Sequence, residues 1–343
     1  MNHDILARLP GALLPWYAVS ARDLPWRADR EPYHVWLSEI MLQQTRVEAV
    51  RGYYARFLDA LHDIAALAAA PEEQLLKLWE GLGYYSRVRQ LGLAAREIMA
   101  KHGGVFPCDY DAIRALPGIG DYTAGAVASI CFGQPTPAVD GNVLRVVSRI
   151  CADDACIDLP ATKAAYRDAL AAVYPDGRCG DFTQALMELG ATVCIPRGEP
   201  RCADCPCAAF CAAHLNGNPD DYPVRAAKRA RRVEQRTVFL LCCEGRLALL
   251  RRPPTGLLAG LWELPNCMPH LTADEAMRQA DEWGCAPLAV SEPIEKTHIF
   301  THVEWQMRAY PIDCAAAMPP FVWASEDELA SVYALPSAFR LFV

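Results

Sequence analysis

The sequence predicts a multidomain chain in which a long all-α region precedes a smaller α+β domain, and three observations carry that prediction. Apolar residues recur at helical spacing through the first two thirds of the 343 residues. At 212–236, AAHLNGNPDDYPVRAAKRARRVEQR, Asn, Gly, Pro and Asp interrupt that pattern, and positive charge then concentrates at Arg225, Lys228, Arg229, Arg231, Arg232 and Arg236. From 237 the pattern becomes that of strands: TVFLLCC, a Glu244–Gly245 turn, then RLALLRR. A chain of this length exceeds one typical core, so two or three domains are expected.

Taken in order, residues 1–27 begin with a helix interrupted near Pro10 and Gly11 and end at the turn Leu24–Pro25–Trp26–Arg27. Residues 34–60 have the spacing of a helix pair, with Trp36, Leu37, Ile40, Met41 and Gln44 on one side and Glu39 beside them. Helices follow at 62–71, 73–79 and 86–103, the last stopped by Gly103–Gly104. In 113–149, Pro117, Gly118 and Gly120 separate two short helices whose apolar stripe includes Leu116, Ile119, Ala124, Val127 and Ile130. This is a helix-hairpin-helix. Its turn presents backbone N–H groups at a helix N-terminus, a nest that can grip a phosphate without a basic surface. Further helices are predicted at 161–173 and 181–193, then a helix at 273–284 capped by Thr272 and strands near 298–311 and 319–324.

With 52% apolar and 22% charged residues the chain reads as globular. No run of eighteen uncharged apolar residues appears, so no membrane span or membrane partner is expected. The start, MNHDILARLPG, has an acidic residue and no long apolar core, which argues against a cleaved secretory signal and for the cytosol. The formal charge is −8, divided as −3 over residues 1–231 and −5 over 232–343. Any nucleic-acid binding must therefore rely on local basic patches, helix N-termini and backbone amides. Fifteen cysteines are not spread like a disulfide framework: Cys202, Cys205, Cys207 and Cys211 fall within ten residues, with Cys194 upstream. Such clustering favours a metal site, either zinc or iron–sulfur by spacing alone.

LPWR at 24–27, WLSEIMLQQT at 36–45, EGLGYYSR at 80–87, the hairpin followed by VDGNV at 139–143, and the cysteine cluster together resemble the helix-hairpin-helix DNA glycosylases, and within them the MutY-type adenine-DNA glycosylases. The resemblance runs over nearly the whole chain. It implies a helical glycosylase region at 1–224, with a six-helix barrel at 30–136 bearing the hairpin and an iron–sulfur subdomain built from 1–29 plus 137–224. A basic linker at 225–236 then leads to a Nudix-like α+β lesion-recognition domain at 237–343. The paired-glutamate box of true Nudix hydrolases has no match, so nucleotide hydrolysis is not expected of that domain.

Cleaving an N-glycosidic bond to adenine requires protonation of the leaving base and stabilisation of positive charge on the sugar. Two carboxyls in different environments can supply both. Glu39, flanked by Leu37, Ile40 and Met41, is suited to be held protonated by desolvation, and Asp140, at a helix start, to be kept ionised by amides. The resemblance assigns Glu39 to protonating adenine at N7 and Asp140 to stabilising or capturing the oxocarbenium ion. Read without it, Asp140 is a helix N-cap and Glu39 a surface carboxylate. Bifunctional relatives carry a lysine where this chain has Tyr122, and a phenol cannot form their Schiff base. The resemblance thus implies a monofunctional enzyme, with Asn142 and Arg27 as supporting or water-positioning groups.

Extruding a base leaves a gap to be filled. Gln43 and Gln44 close the Glu39 helix, and Leu82 and Tyr84 lie in a glycine loop; the resemblance assigns Gln44 and Tyr84 to intercalation. Gly118 and Gly120 would hold the DNA backbone. The pattern Cys194-x7-Cys202-x2-Cys205-x5-Cys211 resembles the family's [4Fe-4S] ligand set, with one extra residue in the first gap and Cys207 as a spare thiol. At 298–305, Phe300-Thr301-His302 aligns with the segment that recognises 8-oxoguanine, usually Phe-Ser-His; alone, it reads as one face of a strand. The expected partner is double-stranded DNA carrying A:8-oxoguanine or A:G mispairs, met by a monomer in the bacterial cytosol. Alternatives are a thymine or uracil mismatch glycosylase, a non-catalytic DNA-damage-binding protein, and a zinc-dependent scaffold.

Overall fold

The computed structural model describes residues 2–227 and 230–343. Lys228 and Arg229 of the expected basic linker lie outside the described residues. The helical elements in chain order are α1 (His3–Leu6), α2 (Leu9–Ser20), α3 (Pro32–Leu42), α4 (Val47–Ala60), α5 (Ile64–Ala69), α6 (Glu72–Leu78), α7 (Ser86–His102), α8 (Tyr110–Arg114), α9 (Asp121–Phe132), α10 (Gly141–Cys151), α11 (Pro160–Ala171), α12 (Cys179–Thr192) and α13 (Ala212–Leu215). The strands are β1 (Arg232–Cys243), β2 (Arg246–Arg251), β3 (Trp262–Glu263), β4 (Asn266–Cys267), β5 (Pro287–Val290), β6 (Ile294–Ile299), β7 (Val303–Cys314) and β8 (Val322–Ala324). The strand region also carries α14 (Ala273–Glu282), α15 (Glu326–Ser331) and α16 (Ser337–Arg340). Among the described residues no helix is long and apolar enough to cross a membrane.

Two compact units emerge: Met1–Ala69 with Gln90–Ala227, and Ala70–Arg89 with Lys228–Val343. Residues 70–89, which the sequence reading puts inside the 30–136 barrel, thus pack with the strand-rich residues. In the first unit, α1 and α2 share a core with α10, α12 and α13 through Leu6, Leu9, Leu13, Val146, Phe182 and Leu189. The predicted interruption near Pro10 falls at Ala7–Arg8 instead. Pro10 lies in the first turn of α2, where its missing N–H costs no bond. Glycines bring elements close: a Cβ on Gly125 of α9 would lie 2.5 Å from Pro137 O, and one on Gly190 of α12 would lie 2.6 Å from Asn142 Cβ.

In the second unit the sheet runs β3-β2-β1-β7-β5, with β4 on β1, β6 on β7 and β8 on β2. The central pair β1·β7 is parallel from Arg232↔Val303 to Cys242↔Asp313, and its neighbours are antiparallel. Period-2 alternation splits β1 between two cores. Val238 and Leu240 join Trp305 and Phe339 on one face, while Phe239 and Leu241 join Ile312 and Ala276 on the other. β1 starts five residues before the predicted 237, inside the expected 225–236 linker. Its first residues are recruited by backbone pairing while largely exposed, so side-chain pattern does not reveal them. Thr272 caps α14 in a full capping box with Glu275.

Candidate active site

Glu39 projects from α3 and is only 6% exposed. Its Oε2 accepts a hydrogen bond from the Tyr122 hydroxyl, one residue into α9. Burial pushes the Glu39 carboxyl up to about 7; the Tyr122 bond works against this and the nearby Asp140 carboxyl adds to it. The same burial and the same carboxyls hold the Tyr122 phenol well above its ordinary value, so it remains a donor. Asp140 caps α10: Oδ1 accepts from Val143 N at 2.7 Å and Oδ2 from Asn142 Nδ2 at 2.8 Å. Burial raises Asp140 too, while the Val143 and Asn142 donors at the helix start pull it back. The cap and the functional reading are therefore compatible, since capping uses Asp140 oxygens without removing its charge.

Asn142 is held from behind. Arg145 Nη2 donates to Asn142 Oδ1 at 2.9 Å and to Gly190 O at 2.7 Å, and Arg145 Nε donates to Cys194 O at 2.8 Å. The close approach permitted by Gly190 makes this arrangement possible. Neither Arg145 nor Gly190 was singled out by sequence, because nothing local marks them.

Arg27 stands back from the site carboxyls. Its Nη2 donates to Glu188 Oε2 at 2.8 Å and its Nη1 to Arg22 O at 3.3 Å, so it influences Glu39 through space and makes no hydrogen bond to either site carboxyl. Glu188 is fully buried and also receives Arg22 Nε at 2.6 Å and Nη2 at 2.9 Å. Burial works to raise Glu188, yet the two arginines hold it below its ordinary value. Sequence reasoning missed this triad, whose members are 161 and 166 positions apart.

At the hairpin, Gly118 has φ +74°, and a Cβ there would also lie 2.4 Å from Gln90 Cβ. Gly120, the N-cap of α9, has an ordinary φ of −100° and open space around it. The protein itself makes no steric demand for glycine at 120; an open approach to the helix N-terminus is what its small size leaves. Asp121 beside it is bound by Arg114 and, at 3.4 Å, by Arg167, which neutralises an acid at a position suited to anions.

Gln43 Nε2 lies 3.4 Å from Thr123 Oγ1, and Gln44 is exposed with a left-handed φ of +59°. In the second unit Leu82 is buried at 7% exposure, whereas Tyr84, in the same glycine loop, is 45% exposed. Phe300-Thr301-His302 forms the turn between β6 and β7, with Phe300 N donating to Val303 O at 2.8 Å. The alternation read as one strand face therefore runs across a hairpin tip that exposes Thr301 and His302. Tyr84 Oη and Thr301 Oγ1 are hydrogen-bonded at 2.7 Å.

Cys194, Cys202, Cys205 and Cys211 line one cavity together with Arg149, whose Nη1 donates to Cys194 Sγ at 3.4 Å. Cys207 is fully buried among the apolar residues of the first unit and does not line the cavity. The extra residue in the first gap is absorbed by a loop that turns at Gly198 and closes through Arg201 N to Val193 O at 3.0 Å. Among the described residues no three His, Cys, Asp or Glu are gathered closely enough to hold a single ion. Four thiols around one cavity, with a guanidinium beside them, are a donor set that fits an anionic metal–thiolate centre.

Residues 37–170 match the family profile of HhH-GPD superfamily base excision DNA repair proteins, and 237–343 match the NUDIX domain. An adenine DNA glycosylase of Mus musculus is 34% identical over an alignment covering 96% of this chain and 77% of the relative. One from Homo sapiens is 33% identical over 97% and 73%. The chain belongs to the adenine DNA glycosylase family. A thermostable thymine-DNA glycosylase, 28% identical, superposes with a TM-score of 0.56 over 62% of this chain and 98% of its own. Endonuclease III bound to DNA, 21% identical, shares the helical fold at a TM-score of 0.53, covering 63% and 98%.

Proposed function

We propose that this member of the adenine DNA glycosylase family hydrolyses the N-glycosidic bond of adenine mispaired with 8-oxoguanine or guanine, leaving an abasic site in double-stranded DNA. The observation that carries the reading is a pair of carboxyls, Glu39 buried and Asp140 half-buried, that differ in their donors. Glu39 has a phenol and a raised affinity for its proton; Asp140 has a backbone amide, Asn142 and a helix N-terminus.

On this reading Glu39 delivers its proton to the flipped purine, so the leaving group departs neutral. Asp140 faces the positive charge that develops on the sugar, or bonds to it before water completes hydrolysis. Tyr122 orients the Glu39 carboxyl, Asn142 orients Asp140, and Arg27 contributes field through the Glu188 triad. Gly118 and Gly120 take a backbone phosphate, Gln43, Gln44 and Tyr84 occupy the space around the opposite base, and Thr301 and His302 meet the lesion. Tyr122 offers no amine for a Schiff base, which supports release of adenine without strand cleavage. Cys194, Cys202, Cys205 and Cys211 would hold a [4Fe-4S] cluster, whose contribution with four protein ligands is structural.

The test uses duplexes with A opposite 8-oxoguanine and T opposite G, assayed separately for free base and strand breaks. Adenine release without breaks is expected, and E39Q and D140N should each reduce it at least ~10³-fold while retaining lesion binding. Normal turnover in either variant removes that residue from the mechanism; thymine release in place of adenine release would favour the mismatch-thymine reading suggested by the thymine-DNA glycosylase likeness.

A further inference from the structure

Tyr84 combines exposure with a backbone φ of +48°, a left-handed conformation in which a non-glycine residue persists only where its surroundings over-determine it. Part of that determination is local. Gly83 O accepts from Trp79 Nε1 and from Arg87 Nη2, each at 3.1 Å, and the Arg87 guanidinium lies 5.4 Å from the centre of the Tyr84 ring. The rest comes from more than 240 residues away. Lys77 Nζ donates to Glu80 Oε2 at 2.7 Å and to the carbonyls of Leu329 at 2.9 Å and Tyr333 at 3.2 Å. Glu80 Oε1 accepts from Leu335 N at 2.8 Å and Arg340 Nε at 3.1 Å, and its Oε2 from Arg340 Nη2 at 2.7 Å.

The Lys77 and Glu80 side chains are 17% and 11% exposed, so these charges are little screened and removing one strands its partners. Helix α6 has seven residues, too few to be stable alone, so its placement is decided by what it docks on. At the other end of the loop, the Tyr84 hydroxyl meets Thr301 on the β6–β7 turn.

We infer that Lys77, Glu80 and Arg340 form a polar clamp that fixes the 79–85 loop to the 329–340 segment and so holds Tyr84 against Thr301, making the base wedge and the lesion contact a single rigid reader. These three are positioning residues for specificity toward the base opposite adenine. The inference rests on the reading of Tyr84 and Thr301 as DNA contacts, and it adds a device that gives their geometry. Directional hydrogen bonds to main-chain carbonyls and an amide allow one docked position, whereas an apolar contact would tolerate sliding.

The experiment measures single-turnover adenine release by the full chain from A:8-oxoG and A:G duplexes, with thermal unfolding in parallel, for E80A, Y84A and the double variant. E80A should lower the A:8-oxoG to A:G rate ratio roughly three- to tenfold, and should lower it no further in the Y84A background. A merely structural Glu80 would affect both substrates alike, or would add its loss to that of Y84A; either result overturns the clamp. Should E80A fail to fold, K77M, which retains the Glu80–Arg340 pair, carries the same expectation. A Y84A ratio equal to that of the parent enzyme sinks the DNA-contact reading and the clamp with it. A reduced Y84A ratio beside an unchanged E80A ratio sinks the clamp alone.

Discussion

At the scale of single residues, the Glu39–Tyr122 bond determines how activity should vary with pH. The acid form of Glu39 is the one that can protonate a purine, and its carboxyl titrates near 7 because burial raises it. The proton is held below that pH and lost above it, so single-turnover adenine release should fall about tenfold per pH unit on the alkaline side of ~7. Of the two groups that lower this value, Tyr122 and Arg27, Tyr122 has the larger effect, so Y122F should move the limb to higher pH even if the maximum rate drops. A limb that stays put, or moves to lower pH, would separate Tyr122 from the titration. Glu39, Tyr122 and Asp140 could be named from the sequence because each lies in one of the short motifs that carry the resemblance. Glu188 was not: nothing around it distinguishes a buried acid from a solvated one, and only the fold brings Arg22 and Arg27 to it. The inward turn of Leu82 was not legible for the converse reason, since a leucine in a glycine loop can face either way.

At the scale of elements, α10 carries more than its cap suggested. Asp140 and Asn142 stand at its start, Arg145 reaches Cys194 O, and Arg149 reaches Cys194 Sγ and Ile195 O. One helix thus supports both the Asp140 carboxyl and the cysteine loop. The four thiols around one cavity lead to an observable: purified protein should show a broad visible absorption band that disappears when the cluster is stripped. Colourless, zinc-loaded protein would refute the iron–sulfur assignment. The hairpin at 113–149 was legible because Pro and Gly punctuate it, and Gly118 meets both demands that glycine answers. The Phe300-Thr301-His302 turn was hidden because the period-2 pattern of β6 continues through it into β7 without a glycine or proline to mark the reversal.

For the whole molecule, the change of regime after residue 224 was legible as composition, whereas the packing of residues 70–89 with the strand-rich part was not. That packing depends on Lys77, Glu80 and Arg89 meeting groups at 259 and at 329–340, contacts whose long sequence separation leaves no local trace. A chain ending at 224 lacks Thr301, His302 and every clamp partner, yet keeps Glu39 and Asp140. It should therefore lose preference for 8-oxoguanine over guanine by a larger factor than it loses adenine release from A:G duplexes. An unchanged preference would refute the role given to the β6–β7 turn.

The parallel pairing of β1 with β7 has a consequence for how the polypeptide is made. A ribosome releases β1 at Cys243, but its central neighbour does not begin until Val303, so one edge of an apolar strand waits unzipped while the intervening fifty-nine positions are translated. Synthesis halted inside that window yields an open ladder ready to recruit a second nascent chain. A stop codon at about 300 should thus be more harmful to the cell than one at 224, although it spares more of the gene.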